Sequence, residues 1–336
     1  MSAPLIVIDA DALGRQRTGD ESYVAGLLRA LPAAGPELRF AAITRNPDLV
    51  PAGVEPIQLR SRTQEFRMAV RVPLLIRRLR PALAHFIHSL PLASFCPAVL
   101  TVQDLSFERN ASLMGRRETS IFRFVVPRSA HRARRVLAIS QRTKADLVEL
   151  YGLSPDKVVV TPLAADPAFT PGGTHADYVL FVGSIEQRKN PLLAADAAAA
   201  VGRRLIVAGP ERDAGLAAEL RRRGADLRGF VPREELVRLY RGAAALLFPT
   251  LHEGFGLPVA EAMACGTPVV ATPDPAVREV GGNAIAYAMP ETFAAVLAGV
   301  LEDPARWVQA GIERARAFTW EATARATVAV YRELLP

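Results

Sequence analysis

Cysteine is nearly absent from this chain. Its 336 residues hold two, Cys96 and Cys265, far apart and each in apolar company. Neither a disulfide framework nor a cysteine-based zinc site follows from such a pair, and a reducing compartment suits it. Missing too is any uninterrupted apolar run approaching the ~20 residues that a membrane-spanning helix needs. The opening Met1–Asp9 lacks a basic leading segment, and its short apolar run reads as a first strand and not as a signal peptide; a cytoplasmic protein is expected. No G-x-G-x-x-G follows that strand, so a nicotinamide dinucleotide finds little support. His85 and His88 have no cysteine or carboxylate cluster beside them, and Asp9-Ala10-Asp11 falls at a strand end where it is expected to turn the chain. No metal site is therefore expected. Internal repeats are absent, and the Ala-rich run Ala194–Ala200 is the one low-complexity stretch.

What is present suits a folded protein of two domains. Half of the residues are hydrophobic, and the length is comfortable for two domains of about 150–170 residues each. The net charge of +7 is uneven: residues 1–170 carry +8 and residues 171–336 carry −1. That asymmetry points to an anionic surface or substrate on the first half, with codon bias toward arginine as the alternative. Arg60, Arg62, Arg67, Arg71, Arg77, Arg78 and Arg80 are interleaved with Phe66, Met68, Val70, Val72, Leu74, Leu75, Ile76 and Leu79. A basic amphipathic segment of this kind either lies on an anionic membrane surface or packs on a core with a solvated face, and the second reading is favoured. Pro73 argues against one straight helix. The arginines match no nucleic-acid-binding motif, so no nucleic-acid partner is expected.

Strand candidates alternate with helical segments along the whole chain, the pattern of parallel sheets covered by helices. Leu5–Asp9 leads through a loop with Gly14 and Gly19 to a helix over Ser22–Leu31. Strands are expected at Arg39–Thr44, Ala82–Ser89, Pro97–Asp104, Val136–Ile139 and Val158–Leu163. Ser140 is the expected N-cap of a helix that closes at Gly152. The stretch Ala164–Thr174 reads as an interdomain linker. After it come strands at Tyr178–Val182 and Arg204–Gly209, helices over Leu216–Arg223 and Arg233–Arg241, and a final helix over Ala322–Leu335.

One stretch concentrates the chemistry. The apolar run Ala243–Phe248 reads as a buried strand, and His252-Glu253-Gly254-Phe255-Gly256-Leu257-Pro258 turns from it into a helix that ends at Gly266 and Pro268. Gly254 and Gly256 let the backbone approach a ligand closely, and a helix N-terminus suits a phosphate. Two carboxylates flank that anion site. Glu253 sits where it could accept hydrogen bonds from sugar hydroxyls, and Glu261 where it could bind a ribose diol; the plainer reading makes both exposed surface residues. Upstream, Gly183-Ser184-Ile185-Glu186-Gln187-Arg188-Lys189 places two adjacent cations after a strand and a glycine turn. Arg188 could neutralise a diphosphate with forked hydrogen bonds and Lys189 as a point charge.

The spacing Glu253, seven residues, Glu261, with Gly-Phe-Gly-Leu-Pro between, resembles the signature of family-4 retaining glycosyltransferases of the GT-B fold. The resemblance runs from the Gly19 loop through Arg188-Lys189 to Trp320. It implies an α/β fold of two Rossmann-like domains facing a central cleft. Residues 1–165 would bind the acceptor and residues 175–316 the nucleotide sugar, with residues 317–336 forming a helix that returns to the first domain. It implies a donor site of Gly19, Gly183, Gly254, Phe255, Gly256, Leu257 and Glu261, with Glu253, Arg188, Lys189 and Gln103 at the reacting centre. Two positions depart from the family pattern: Gln103 stands where a histidine usually touches the donor sugar, and Ser184 where many relatives carry arginine.

The activity so implied is retaining, metal-independent transfer of a mannose-like or glucose-like hexose from a nucleotide-diphosphate sugar. No separate cofactor is involved. The acceptor would be a glycan or lipid-linked intermediate of the cell envelope, with peripheral membrane contact through the arginine-rich half. A non-catalytic nucleotide-sugar scaffold and a nucleotide-sugar epimerase are the alternatives.

Overall fold

Strand-forming runs that are apolar on both faces can only be satisfied inside a helix-covered parallel sheet, and the chain builds two of these. The computed structural model describes residues 3–15, 18–109, 116–173 and 177–335. Residues 16 and 17 of the first glycine-bearing loop, and residues 174–176 at the expected start of the second domain, lie outside the described residues. The chain divides into one unit of Met1–Leu163 with Thr319–Pro336 and a second of Ala164–Phe318.

The first unit is a seven-stranded parallel sheet, formed by β1 (Leu5–Asp9), β2 (Arg39–Thr44), β3 (Val54–Gln58), β4 (Leu83–Ile87), β5 (Ala98–Val102), β6 (Arg135–Ala138) and β7 (Val158–Val160). Their spatial order is β3-β2-β1-β4-β5-β6-β7. Ile6 is in register with both Phe40 and Leu83, so the strand order reverses between β1 and β4. In open α/β sheets that reversal, at the carboxyl ends of the strands, is where ligands bind. Every residue of Ala98–Val102 is buried. One face of the sheet supplies Val7, Phe86, Leu100 and Val136 to a shared core, each such side chain contributing about 1.5–3 kcal/mol on burial.

The C-terminal helix, Trp320–Leu334, completes this unit by packing on the helix Thr18–Ala34. Gly26 makes the contact possible, since a Cβ there would lie 2.1 Å from the Trp320 ring. Thr319 caps the helix through Ala322 N–H at 3.1 Å, and Thr327, Val328 and Tyr331 are buried. A buried polar chain fastens it to the sheet. The Tyr331 hydroxyl lies 2.6 Å from His85 Nδ1, His85 Nε2 lies 2.7 Å from the Thr101 hydroxyl, and Tyr23 meets the same hydroxyl at 2.8 Å. Burial pushes the imidazole of His85 down to about 3, so it is neutral at physiological pH.

One expectation holds here and one changes. The arginine-rich stretch is helical from Gln64 to Leu79 but is not one straight α-helix, since a π-helical turn at Arg67–Arg71 shifts the hydrogen-bond register just ahead of Pro73. That shift also turns Arg67 inward, where it is fully buried and not solvated. Its fork meets Asp9 at 2.5 and 3.0 Å, while Asp11 is held by Arg45 at 2.8 Å and Arg15 at 2.5 Å. Asp9, the last residue of β1, and Asp11 just beyond it therefore anchor arginines, and Asp9 Oδ1 also accepts Asp11 N–H at 3.2 Å in the turn expected there.

The second unit is a six-stranded parallel sheet of β8 (Tyr178–Val182), β9 (Arg204–Ala208), β10 (Asp226–Gly229), β11 (Ala245–Phe248), β12 (Val269–Ala271) and β13 (Ala286–Tyr287). The order is β10-β9-β8-β11-β12-β13, which puts its reversal between β8 and β11, paired through Ala245↔Val179 and Leu246↔Leu180. Phe181, Val207, Leu247 and Val270 lie in its core. Helices over Phe293–Glu302 and Ala305–Ala315, not anticipated from the sequence, complete the layer. The stretch from Ala164, expected to link the domains, is instead fixed to the helix Arg233–Gly242. Asp166 pairs with Arg233 at 3.2 Å, the Thr170 carbonyl accepts Arg241 Nε at 2.7 Å, and Phe169 meets the Tyr240 ring edge-on at 5.6 Å.

Candidate functional site

At the reversal between β8 and β11 two loops leave adjacent strands and clasp each other. The first runs from Gly183 to Asn190 and the second from Pro249 to Gly256. Leu251 N–H donates to the Arg188 carbonyl at 2.8 Å, and Arg188 Nη1 donates to the His252 carbonyl at 2.7 Å. Lys189 Nζ donates to Glu253 Oε1. The Thr250 hydroxyl donates to the same carboxylate oxygen at 3.1 Å, and Arg188 Nη1 lies 3.8 Å from it. The clasp thus holds Glu253 in one orientation and buries both it and Lys189.

The electrostatics follow from that burial. Loss of water pushes the Lys189 ammonium below its ordinary value, with Glu253 opposing the shift and Arg188 reinforcing it. Arg188 Nη2 is paired with Glu186 at 2.9 Å. The two cations expected to meet an anion are thus each matched by a carboxylate, and the four formal charges cancel. An arriving dianion would give this balanced set excess negative charge, which neutral N–H donors can stabilise by hydrogen bonding. Such donors stand next along the chain. Gly256, at φ +97, begins the helix Leu257–Cys265, which no side chain caps. Pro258 has no N–H and Val259 N–H donates to the Gly256 carbonyl at 2.9 Å, so Leu257 supplies the N–H without an intrahelical acceptor, and the helix dipole adds positive potential there.

Phe255 is buried edge-on against Phe318 at 5.6 Å, which fixes the turn around Gly254. Gly183 ends β8, and a Cβ there would touch the Lys189 stem at 3.8 Å. Glu261 is in the second turn of the helix, 7% exposed, with Oε2 accepting the Tyr240 hydroxyl at 2.9 Å. Burial is the main cause that raises its carboxyl to about 8. Glu253 and Glu261 are accordingly both buried, against the reading of ordinary surface glutamates.

Gln103 and Gly19 belong to the first unit, where they are neighbours: a Cβ on Gly19 would sit 3.7 Å from Gln103 Oε1. Gln103 follows β5 and is 8% exposed. Its Nε2 has no partner among the described residues, while its carbonyl accepts the Thr143 hydroxyl at 3.1 Å. Asp104, next along, is a turn residue whose Oδ1 accepts Ser106 N–H at 3.1 Å. Beside them His88, at φ +63, lies 3.0 Å from Asp20.

Sequence reading missed three participants in the second unit. Thr250 orients Glu253. Asp274 caps the helix Pro275–Gly281 through Ala276 N–H at 2.9 Å; burial raises its carboxyl, and Glu253 adds to the shift. Tyr240 holds Glu261 from a different helix. Asp274 carried a readable signal, an Asp-Pro pair opening a short helix; Thr250 lies three residues from Glu253 in the same loop, and Tyr240 depends on a contact between two helices that no local pattern encodes. No group of three or more His, Cys, Asp or Glu able to hold a metal ion occurs among the described residues.

Comparison with known proteins gives concordant results. The family profile "Glycosyltransferase Family 4" matches residues 17–169, and "Glycosyl transferases group 1" matches residues 176–303. The chain is 35% identical to a D-inositol 3-phosphate glycosyltransferase of Kineococcus radiotolerans over 60% of this chain and 57% of that protein. It is 30% identical to O-antigen chain mannosyltransferase B of Escherichia coli over 60% of this chain and 61% of that protein. The match thus spans less than two-thirds of the length of either relative. Sucrose-phosphate synthase from Thermosynechococcus elongatus has the same fold, with a TM-score of 0.79 at 19% identity over 98% of this chain and 99% of that one.

Proposed function

The chain belongs to the family-4, group-1 glycosyltransferases, and from that premise we propose that it is a retaining, metal-independent hexosyltransferase. Its donor is a nucleotide-diphosphate sugar carrying a mannose-like or glucose-like hexose, and its acceptor a glycan or lipid-linked intermediate. The observation that carries the reading is the clasp of Arg188, Lys189 and Glu253 beside an uncapped helix N-terminus at the strand-order reversal of the second unit. The names of the two relatives support a sugar-transfer activity.

The bond to be broken joins the anomeric carbon to a phosphate oxygen. As it lengthens, negative charge grows on the departing diphosphate, and donors aimed at that charge lower the barrier. Arg188, Lys189 and the N–H groups around Gly254–Leu257 provide them. The acceptor hydroxyl attacks from the face that the diphosphate leaves, a new C–O bond forms, and the acceptor proton passes to the departing phosphate oxygen. No protein base is then required. Glu253 accepts hydrogen bonds from the sugar hydroxyls and Glu261 binds the ribose diol; Gln103, in the first unit, is an amide that can donate and accept hydrogen bonds without carrying a proton of its own. Asp9 and Asp11, engaged by arginines, are not disposed to hold a metal.

On the acceptor side, the helix over residues 64–79 exposes Phe66, Val70 and Leu74 at four-residue intervals. Exposed Leu92 and Phe95 adjoin them, through Leu92 N–H to the Met68 carbonyl at 3.1 Å and Arg77 over the Phe95 ring at 5.8 Å. Apolar residues flanked by exposed Arg71, Arg77 and Arg78 suit the surface of an anionic bilayer. No helix among the described residues is long and apolar enough to cross one. Co-sedimentation with phosphatidylglycerol vesicles that is lost in a Val70→Asp/Leu74→Asp variant would support this contact, and equal sedimentation of both proteins would remove it.

A non-catalytic scaffold is the second reading, favoured by glutamine at position 103. A thermal-shift panel of UDP-, GDP-, ADP- and dTDP-hexoses identifies the donor, since a ligand selective for the folded state raises the midpoint. The stabilising donor is then followed by NMR at its anomeric proton. Product with the donor's anomeric configuration is expected; stabilisation with neither transfer nor donor hydrolysis would select the scaffold, and an inverted product would overturn the retaining assignment.

A further inference from the structure

The carboxylate assigned to the ribose is held by a residue that the reaction itself does not use. Tyr240 lies on the helix Arg233–Gly242, is fully buried, and donates its hydroxyl to Glu261 Oε2 at 2.9 Å. Among the described residues the Tyr240 hydroxyl is the hydrogen-bond partner seen on this carboxylate, and it sits on Oε2 and not on Oε1. Tyr240 is itself braced: the Phe169 ring meets it edge-on at 5.6 Å, and its carbonyl accepts the Thr267 hydroxyl at 2.7 Å. The Arg233–Asp166 ion pair at 3.2 Å and Arg241 Nε to the Thr170 carbonyl at 2.7 Å fix the two ends of the same helix.

A glutamate in a buried setting has several rotamers and a strong tendency to take up a proton. A single O–H donor on one oxygen selects one rotamer, favours the ionised form and leaves the other oxygen for a ligand. We infer that Tyr240 is a positioning residue for nucleotide recognition: its hydroxyl presents Glu261 so that Oε1 meets the ribose diol. This rests on the ribose role proposed for Glu261, and it adds that discrimination of ribose from deoxyribose depends on a residue beyond the ligand's reach. The hydroxyl contributes nothing to the phosphate clasp, so its loss changes binding of the ribose and leaves the chemical step alone.

The test is calorimetric binding of UDP, GDP and ADP and their 2′-deoxy counterparts to the wild type, Glu261→Gln and Tyr240→Phe. The wild type should prefer the ribose form of its nucleotide by about 10-fold, the scale of one hydrogen bond. Both variants should lose most of that preference while binding the deoxy form nearly as the wild type does. In turnover, Tyr240→Phe should raise the donor KM with kcat little changed. If Glu261→Gln loses the preference and Tyr240→Phe keeps it, Tyr240 is not a positioning residue and the ribose role of Glu261 stands. If the wild type shows no preference, or binds none of the nucleotides, the ribose role fails and this inference with it. Phe169→Ala, which keeps both hydrogen-bonding groups and removes only the brace, provides a second arm should Tyr240→Phe fail to fold. Its preference should fall by a smaller factor, and an unchanged value would count against the inference.

Discussion

Each unit buries a cation among carboxylates just beyond its central strand, and the two arrangements are built differently. After β1 the Arg67 fork meets Asp9 twice and approaches Asp11, and Arg45 and Arg15 close the cluster from outside. After β8 a lysine meets Glu253, with Arg188 standing off at 3.8 Å. Arginine's rigid fork fixes two partners at once, whereas an ammonium is a point charge that can turn from one anion to another. The first cluster is therefore a structural tie. The second is a charge-balanced set beside a helix start that no side chain caps, and under the proposed function its lysine exchanges a carboxylate for a phosphate.

The sharpest way to break that contrast is to cut each cluster at its cation. Arg67→Ala leaves Asp9 buried without its arginine partner, while Asp11 keeps Arg45 and Arg15, and about 3–5 kcal/mol of stability should be lost in urea unfolding. Lys189→Ala keeps Arg188 and Thr250 on Glu253, so the fold should survive while turnover falls about 100–1000-fold, the effect of removing one donor to a developing anion. An Arg67 variant of wild-type stability, or a Lys189 variant whose defect is unfolding, would erase the distinction.

Glu261→Gln gives a smaller, pH-dependent effect. Burial raises the folded carboxyl from 4.5 to about 8. Between these values the folded state holds a proton that the unfolded state has released, so wild-type stability falls as pH rises across the window and levels off above it. The glutamine variant lacks that slope. Its advantage over the wild type should grow from nothing below pH 4.5 to a few kcal/mol at pH 8, at most ~1.4 kcal/mol per pH unit. Urea titrations at pH 5 and pH 8 that give the same difference between the two proteins would contradict the placement of Glu261.

The smallest effect concerns Gln103, whose Nε2 has no partner among the described residues. Gln103→Leu should leave stability unchanged or raise it by ~1 kcal/mol, because a buried unsatisfied donor is removed, while turnover falls. Falling stability would show a structural partner for the amide; unchanged turnover would take Gln103 out of the site.

These residues also mark how far the sequence can be read. β1, β2 and β8 lie where apolar runs put them, since a strand buried on both faces reads as a continuous apolar run, bounded in β1 by Asp9 and in β2 by Arg39 and Thr44. The Glu253 turn was legible because glycines, proline and carboxylates sit within a few positions of one another. Arg67 was not: it belongs to a run of similar arginines, and a π-helical turn alone separates it from its solvated neighbours. Tyr240 and Glu261 are 21 residues apart on two helices, and Phe169 reaches them from a stretch whose prolines and glycines read as a linker. Contacts of that kind come from tertiary packing, and local composition carries no trace of them.

The central claim is that the Arg188–Lys189–Glu253 clasp handles the departing diphosphate and the transferred sugar. Its most direct test is the rate of nucleoside diphosphate release from the stabilising nucleotide hexose by wild type, Lys189→Ala and Glu253→Ala, with folding of each verified by circular dichroism. A wild type that turns over and two folded variants slowed at least about 100-fold are predicted. Release at the wild-type rate by both folded variants would contradict it.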